Sequence, residues 1–290
     1  FPVVVLELSK EFSLSRFLAT LPIPLFMIMS SLFMPFIGRV LDKGAIRSIL
    51  MAGALVYGLS LISLYFAFSY ISFMLIFTLP MALGVTMMGN ISVSKLISLW
   101  FRKYTGRALG IASVGVSFAG FVFPNLTSFL LGDLGLTWRE AYLLFGTLII
   151  LINIPVVYLF IVNKPSDINQ IPDGEGLTGY SEDTLGVDWT IQDLLKDRNF
   201  WILSLVFAIQ FCSMMGILSH LTFFSEGAGW SQAWGAFIFS MYAWPAMFSK
   251  VFFGWLVENK IDARLAVSIA IFIQAIATLL MIFVESPEQM

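Results

Sequence analysis

The stretch "GRVLDKGAIR", residues 38 to 47, decides how this chain is read. It holds Arg39, Asp42, Lys43 and Arg47, yet no charge occurs from Leu18 to Ile37 before it or from Ser48 to Ser94 after it. Apolar runs of that length cross roughly 30 Å of hydrocarbon as helices, so the stretch is a short turn between two membrane spans. The rest of the chain expects the same solvent. It is 59% hydrophobic and 12% charged, with 29 Phe, 14 Met and 8 Trp, whereas a soluble domain is about a quarter charged. A single water-soluble core cannot hide that much apolar surface, so lipid covers it. The runs are too long and too uniformly apolar for a transmembrane barrel. The expectation is an all-α membrane protein.

Composition also excludes function classes. A net charge of −2 offers no basic surface to nucleic acid. One cysteine, Cys212, forbids an internal disulfide, and one histidine, His220, leaves too few ligands for a typical zinc site. There is no Gly-x-Ser-x-Gly elbow, His-Glu-x-x-His or Gly-Lys-Ser/Thr loop, so we expect no catalytic residue, no metal and no cofactor. A channel is disfavoured because no helix carries ring-forming charges or a filter loop.

Apolar runs between charged or turn-rich breaks give eight spans: Phe17 to Ile37, Ile49 to Phe68, Ile71 to Ile97, Ala108 to Leu131, Ala141 to Val162, Phe200 to Phe224, Ala233 to Val257 and Leu265 to Val284. Phe1 to Leu6 reads as the end of a first span already under way, and the chain as a piece of a longer protein. Three parts follow: a helical bundle over 1–162, a Pro-, Gly- and acid-rich flexible linker over 163–197, and a partial second bundle over 198–290. Within the linker, "TIQDLLKDRNFW" reads as ordered, with Thr190 and Asp193 capping a short amphipathic stretch.

Numbering the loops alternately puts eleven Lys and Arg on the side of the 38–47 turn and three on the other. That bias sets the turn and the linker on the cytoplasmic face of a plasma (inner) membrane. It accounts for Arg39, Lys43 and Arg47 but not for Asp42, since acids add little to such a signal. The pattern then recurs. "GWLVENKIDAR", residues 254 to 264, again has a glycine, an acid four residues on, then cations: Gly254, Glu258, Lys260 and Arg264. Both copies end a span going inward, which points to two halves related by an axis along the membrane normal.

At these residues the chain resembles the major facilitator superfamily. The signature between its second and third helices runs Gly-x-x-x-Asp-Arg/Lys-x-Gly-Arg/Lys-Arg/Lys, and Gly38, Asp42, Lys43 and Arg47 match it. Gly44 stands one place before the signature's second glycine, whose slot holds Ala45. "FPVVVLELSKEFSLSR", "WFRKYTGRALGIASVGVSFAG", "DRNFW" and "LSHLTFFSEGAGWS" further resemble its monocarboxylate and oxalate–formate branch. The resemblance implies two pseudo-symmetric bundles, of which this chain holds about eight full helices and the end of the first. It also implies secondary transport of a small organic anion, a mono- or dicarboxylate, with a proton or counter-anion as coupling ion. Asp42 would then act in gating against the end of an eleventh helix.

Individual side chains carry further expectations. Lys250 lies eight residues before Glu258, about 12 Å into the membrane at 1.5 Å per residue. An unpaired charge at that depth is costly, so it faces a cavity or snorkels back to the surface. By resemblance it takes the place of a basic residue, usually Arg, that binds the substrate carboxylate, while Ala246 stands where some relatives carry a proton-coupling Asp. His220 matches a histidine of the bacterial branch and is either a packed side chain or a proton carrier. Asn90 and Gln210 line a cavity or bind across helices. Lys95 is placed to snorkel to the inner surface. Ala108, Ala112, Gly115 and Ala119, spaced four, three and four, form a small-residue stripe for packing, static or sliding, against another helix. Two alternatives stand beside anion transport: a transporter-like membrane sensor, and a major facilitator carrier of a non-anionic solute.

Overall fold

The computed structural model describes residues 4–173, 191–227, 229, 232–259, 261–280 and 283. Nearly all of them are helical, and among them no strand forms; a single bridge pairs Phe101 with Asp173. In lipid an uncovered backbone polar group has no water to turn to, so helices that satisfy their own hydrogen bonds are what such runs must form. The first span ends within α1 (Val4–Glu11), which carries Glu7, Lys10 and Glu11. The second span is α2 (Arg16–Thr20) with α3 (Pro22–Asp42), and the third is α4 (Ile46–Leu64). α8 (Thr105–Gly132) and α9 (Trp138–Phe160) are the fifth and sixth spans. After a short α10 (Ile191–Lys196) come α11 (Arg198–Gly227), α12 (Gln232–Asn259) and α13 (Ala263–Leu280). With the fourth span, residues 70–100, seven stretches among the described residues are long and apolar enough to cross a membrane. α12 matches them in length, with 28 residues, but Lys250, Pro245 and three tryptophans dilute its hydropathy.

The fourth span departs from the expected single helix. It consists of α5 (Tyr70–Thr78), α6 (Pro80–Met88) and α7 (Asn90–Trp100). Pro80 opens α6, and Gly89 takes an extended conformation between α6 and α7. Proline removes a donor and clashes with the preceding turn, while glycine has little cost in leaving the helix. The 38–47 turn is also shorter than its charges imply. α3 runs through Asp42, and the reversal rests on Lys43 to Ala45, with Gly44 in the left-handed region at φ +83°.

The linker is not loose from its start. Asn163 to Asp173 fold back onto the neighbouring turns, with a 3-10 turn at Pro165–Ile168. The expected short helix near "TIQDLLKDRNFW" is present as α10, whereas Thr190 lies outside the described residues.

Two larger buried clusters join α1 and α3 to α9, and a third, of Val5 and Ala19, joins α1 to α2. At the end remote from the linker, Phe73 stacks on Phe77 with centroids 5.5 Å apart and meets the edge of Trp138, with Leu61, Leu64 and Tyr142 around them. At the linker end Ile37, Leu41, Ile46, Ile49 and Leu50 form the second. Between the clusters α4 and α9 touch backbone to backbone. A Cβ on Gly58 would stand 2.9 Å from the Gly146 carbonyl oxygen, and one on Gly146 would stand 2.6 Å from that of Gly58. Small residues permit this approach, which is how helices adhere where lipid is as apolar as leucine. Large side chains such as Phe36, Phe160, Phe207 and Phe272 point outward and stay exposed, as lipid-facing residues do.

Candidate functional site

α8 and α12 pack along their length, and the contact is built from small residues. A Cβ on Gly110 would stand 2.7 Å from the Lys250 carbonyl oxygen, and one on Gly254 would stand 2.7 Å from that of Gly106. Further along, Phe121 meets the edge of Trp244 at 5.5 Å, and Asn125 donates to Ser240 Oγ at 2.7 Å. The stripe used is therefore Gly106, Gly110, Ser113 and Ser117. The expected stripe lies on another face of α8. Ala112 and Gly115 are exposed, nothing lies within 4 Å of a Cβ on Gly115, and Ala108 and Ala119 are half-buried.

Lys250 sits in the middle of this contact. The glycines bring the two backbones so close that its side chain must run along α8, where Nζ donates to the Ser113 carbonyl oxygen at 2.9 Å and to Ser117 Oγ at 2.7 Å. Both acceptors are neutral, and Ser117 is buried. An ammonium has three donors, so these two oxygens satisfy its hydrogen bonds in part, and among the described residues no carboxylate meets its charge. One helical turn earlier stands Ala246, half-buried, with no acidic side chain to offer. Sequence reasoning found Lys250 by its depth but missed Ser113 and Ser117, because serines on a helix also bond back to their own turn and carry no separate signal.

The second group of charges gathers at the linker end. Lys95 Nζ on α7 meets Asp42 Oδ1 at the end of α3, 3.0 Å away. Lys95 thus reaches the surface region, where a partner is waiting. The Arg47 backbone N–H donates to Asn163 Oδ1 at 2.7 Å, and its guanidinium donates to the Tyr158 carbonyl while lying over the Tyr158 ring. Asp173 accepts from the backbone N–H groups of Arg102, Lys103 and Tyr104, the turn that leads into α8, and Trp100 Nε1 donates to the Val162 carbonyl at 3.2 Å. Gly38 makes ordinary contact with Ile91, its Cβ position 3.8 Å from Cδ1, and Lys43 follows as the C-cap of α3.

The remaining expected residues fall elsewhere. Asn90 is exposed at the start of α7, just after the break at Gly89. Gln210 donates to Gln274 Oε1 at 3.3 Å, joining α11 to α13, and Gln274 was not singled out from the sequence. His220 lies in α11 and Glu258 in α12, but their side chains are outside the described residues. An open groove of about 800 Å³ runs along α12 between Val114, Met247, Phe248, Val251, Phe252 and Trp255. It is apolar, and Lys250 does not line it.

The family model described as "Major Facilitator Superfamily" matches residues 1–290. The chain belongs to the major facilitator superfamily. Among curated proteins it is similar to the "MFS-type transporter dbaD" of Emericella nidulans, 23% identical over 235 residues, which are 79% of this chain and 46% of that protein. It is 31% identical over 119 residues to an "MFS-type transporter" of Gibberella moniliformis, covering 40% of this chain and 28% of that protein. It is likewise 31% identical over 121 residues to the "Fujikurins efflux protein" of Gibberella fujikuroi, covering 40% and 25%. The chain spans less than half the length of these major facilitator relatives. The paired motif glycines, Gly38 and Gly254, lie in the last turns of α3 and α12.

Proposed function

We propose that the protein containing this chain is a secondary transporter that moves a small organic anion, a mono- or dicarboxylate, by alternating access between two helical halves. The observation that carries this reading is Lys250, a charge set in mid-span whose partners among the described residues are the neutral oxygens of Ser113 and Ser117. A charge of that kind is costly in hydrocarbon and gains most from an anion brought to it. Lysine offers a point charge rather than the planar fork of arginine, so it sets the place of a carboxylate more firmly than its orientation. The coupling ion is a proton or a counter-anion. The bias of Lys and Arg supports a cytoplasmic linker, the membrane proposed is the plasma (inner) membrane, and residues 1–162 and 198–290 belong to the two halves.

The test is binding of lactate, oxalate and succinate to the full-length protein and its Lys250→Gln and Lys250→Arg variants. Loss of binding in the Gln variant with recovery in Arg supports the assignment; unchanged binding in the Gln variant removes it. Flux in reconstituted vesicles separates a carrier from a sensor that binds without moving its ligand.

A second reading is a carrier of a non-anionic solute. It is favoured by the apolar groove along α12 and by a relative whose name is that of an efflux protein. Under this reading Lys250→Gln leaves the flux of uncharged apolar compounds intact, and substitutions of Phe248 or Phe252 by Ala reduce it.

A further inference from the structure

Lys250 belongs to α12, and both oxygens that hold it belong to α8, so its hydrogen bonds run between helices rather than within one. α8 precedes the linker and α12 follows it, 133 residues apart between Ser117 and Lys250. Any movement of one half against the other must slide this contact. At the level of Lys250 α8 presents Gly110 and Val114 beside the two oxygens. Neither side chain can accept a hydrogen bond, so a lysine dragged off Ser117 loses its hydroxyl partner and meets on that stretch of α8 only backbone carbonyls already bonded within the helix. Leaving a charged donor unmet in a desolvated place costs more than the bond itself contributes. A carboxylate changes this balance. It replaces both neutral acceptors with a charged one that stays with the ammonium as α12 moves.

We infer that the Lys250–Ser117 contact is a latch that holds the ligand-free carrier still, so that the protein returns across the membrane loaded and works as an exchanger of anions. This rests on the proposed anion site, and it adds the mode of transport and a new positioning residue, Ser117. The hydroxyl of Ser117 holds Lys250 between cycles and is not required to bind the anion.

The experiment uses the full-length protein in vesicles, with labelled lactate, oxalate and succinate as probes. Uptake into vesicles preloaded with the same anion exceeds uptake into empty vesicles by roughly tenfold or more, the factor expected for a hydrogen bond to a charged group. Ser117→Ala brings the two rates together by speeding uptake into empty vesicles, and the anion binds as tightly as in the parent or more tightly, because binding no longer breaks that hydrogen bond. Ser117→Thr retains a hydroxyl and restores the difference. Equal rates in the parent, or an unchanged ratio in Ser117→Ala, overturn the latch while leaving the anion site standing. If no carboxylate binds the parent, the anion site fails, and the latch is judged without ligand. Spin labels at Leu59 on α4 and Phe248 on α12, both exposed, then report a single distance in the ligand-free parent and two in Ser117→Ala. A single unchanged distance in both proteins overturns it.

Discussion

Gly254 and Gly106 meet backbone to backbone, with a Cβ on Gly254 placed 2.7 Å from the Gly106 carbonyl oxygen. The glycine that opens the second copy of the turn motif therefore serves as a contact point between α12 and α8, and no bulkier residue fits without parting them. Gly254→Ala is expected to cost about 1–3 kcal/mol, as overpacking does elsewhere, and to lower the melting temperature in detergent. Gly38→Ala, whose Cβ would find only Ile91 Cδ1 at 3.8 Å, is expected to change it little. Equal losses in the two variants would show that the motif glycines are not distinguished by their contacts.

Asp42 ends α3, where a negative charge opposes the helix dipole. α3 alone gains nothing from it, and Lys95 at 3.0 Å is what offsets the charge. Both side chains are substantially exposed, at 69% for Asp42 and 40% for Lys95, and exposed pairs contribute about 0.2–1 kcal/mol. Asp42→Asn is thus expected to leave the melting temperature almost unchanged while slowing transport severalfold. Exchanging the two charges, Asp42→Lys with Lys95→Asp, should recover part of the rate. A parental rate in Asp42→Asn would reduce the residue to an ordinary turn position.

These two sites show where the sequence could be read and where it could not. The fold class was legible because lipid demands long uncharged runs, and the charges of Arg39, Asp42, Lys43 and Arg47 mark the turn between two of them. Lys95 was placed at the surface from its nearness to Trp100, but its partner lies 53 residues away, a pairing that no local pattern encodes. On α8 the stripes 106, 110, 113, 117 and 108, 112, 115, 119 share the same spacing, so periodicity alone cannot choose between them. The choice belongs to α12, whose Gly254 and Lys250 fit the first stripe. In the fourth span Pro80 and Gly89 were visible signals, outweighed by a uniform hydropathy that says nothing of breaks.

Asp173 ties the start of the linker to the turn before α8, accepting from three successive backbone N–H groups. These donors precede α8 and have no partner within the helix, so the carboxylate satisfies groups that a free linker would leave to water. Hydrogen bonds to a charged group contribute about 1.5–3 kcal/mol in protected places, and less here because two of the three are exposed. Asp173→Ala is expected to lower the melting temperature by a few degrees and to speed proteolysis between residues 163 and 173. Cleavage at the parental rate would mean that the carboxylate does not hold the segment.

At the other end of the molecule Glu11 joins α1 to α9. Its carboxylate meets Arg139 at 2.7 Å and accepts from Trp138 Nε1 at 2.6 Å. Burial alone would raise its pKa; the hydrogen bonds from Arg139 and Trp138, with the charge of Arg139, outweigh that and hold it below the ordinary value. The sign follows by linkage: a carboxyl with a depressed folded-state pKa stabilises the fold fully above the ordinary range near about 4.3. That stabilisation is lost as pH falls through the lower folded value. The parent should therefore lose melting temperature on acidification below about pH 4.3 by more than Glu11→Gln does. At pH 7 the Gln variant should start lower, since Arg139 then keeps its charge beside a neutral amide. Parallel curves for the two proteins from pH 7 down to about pH 3 would show that the contact between α1 and α9 does not depend on this charge.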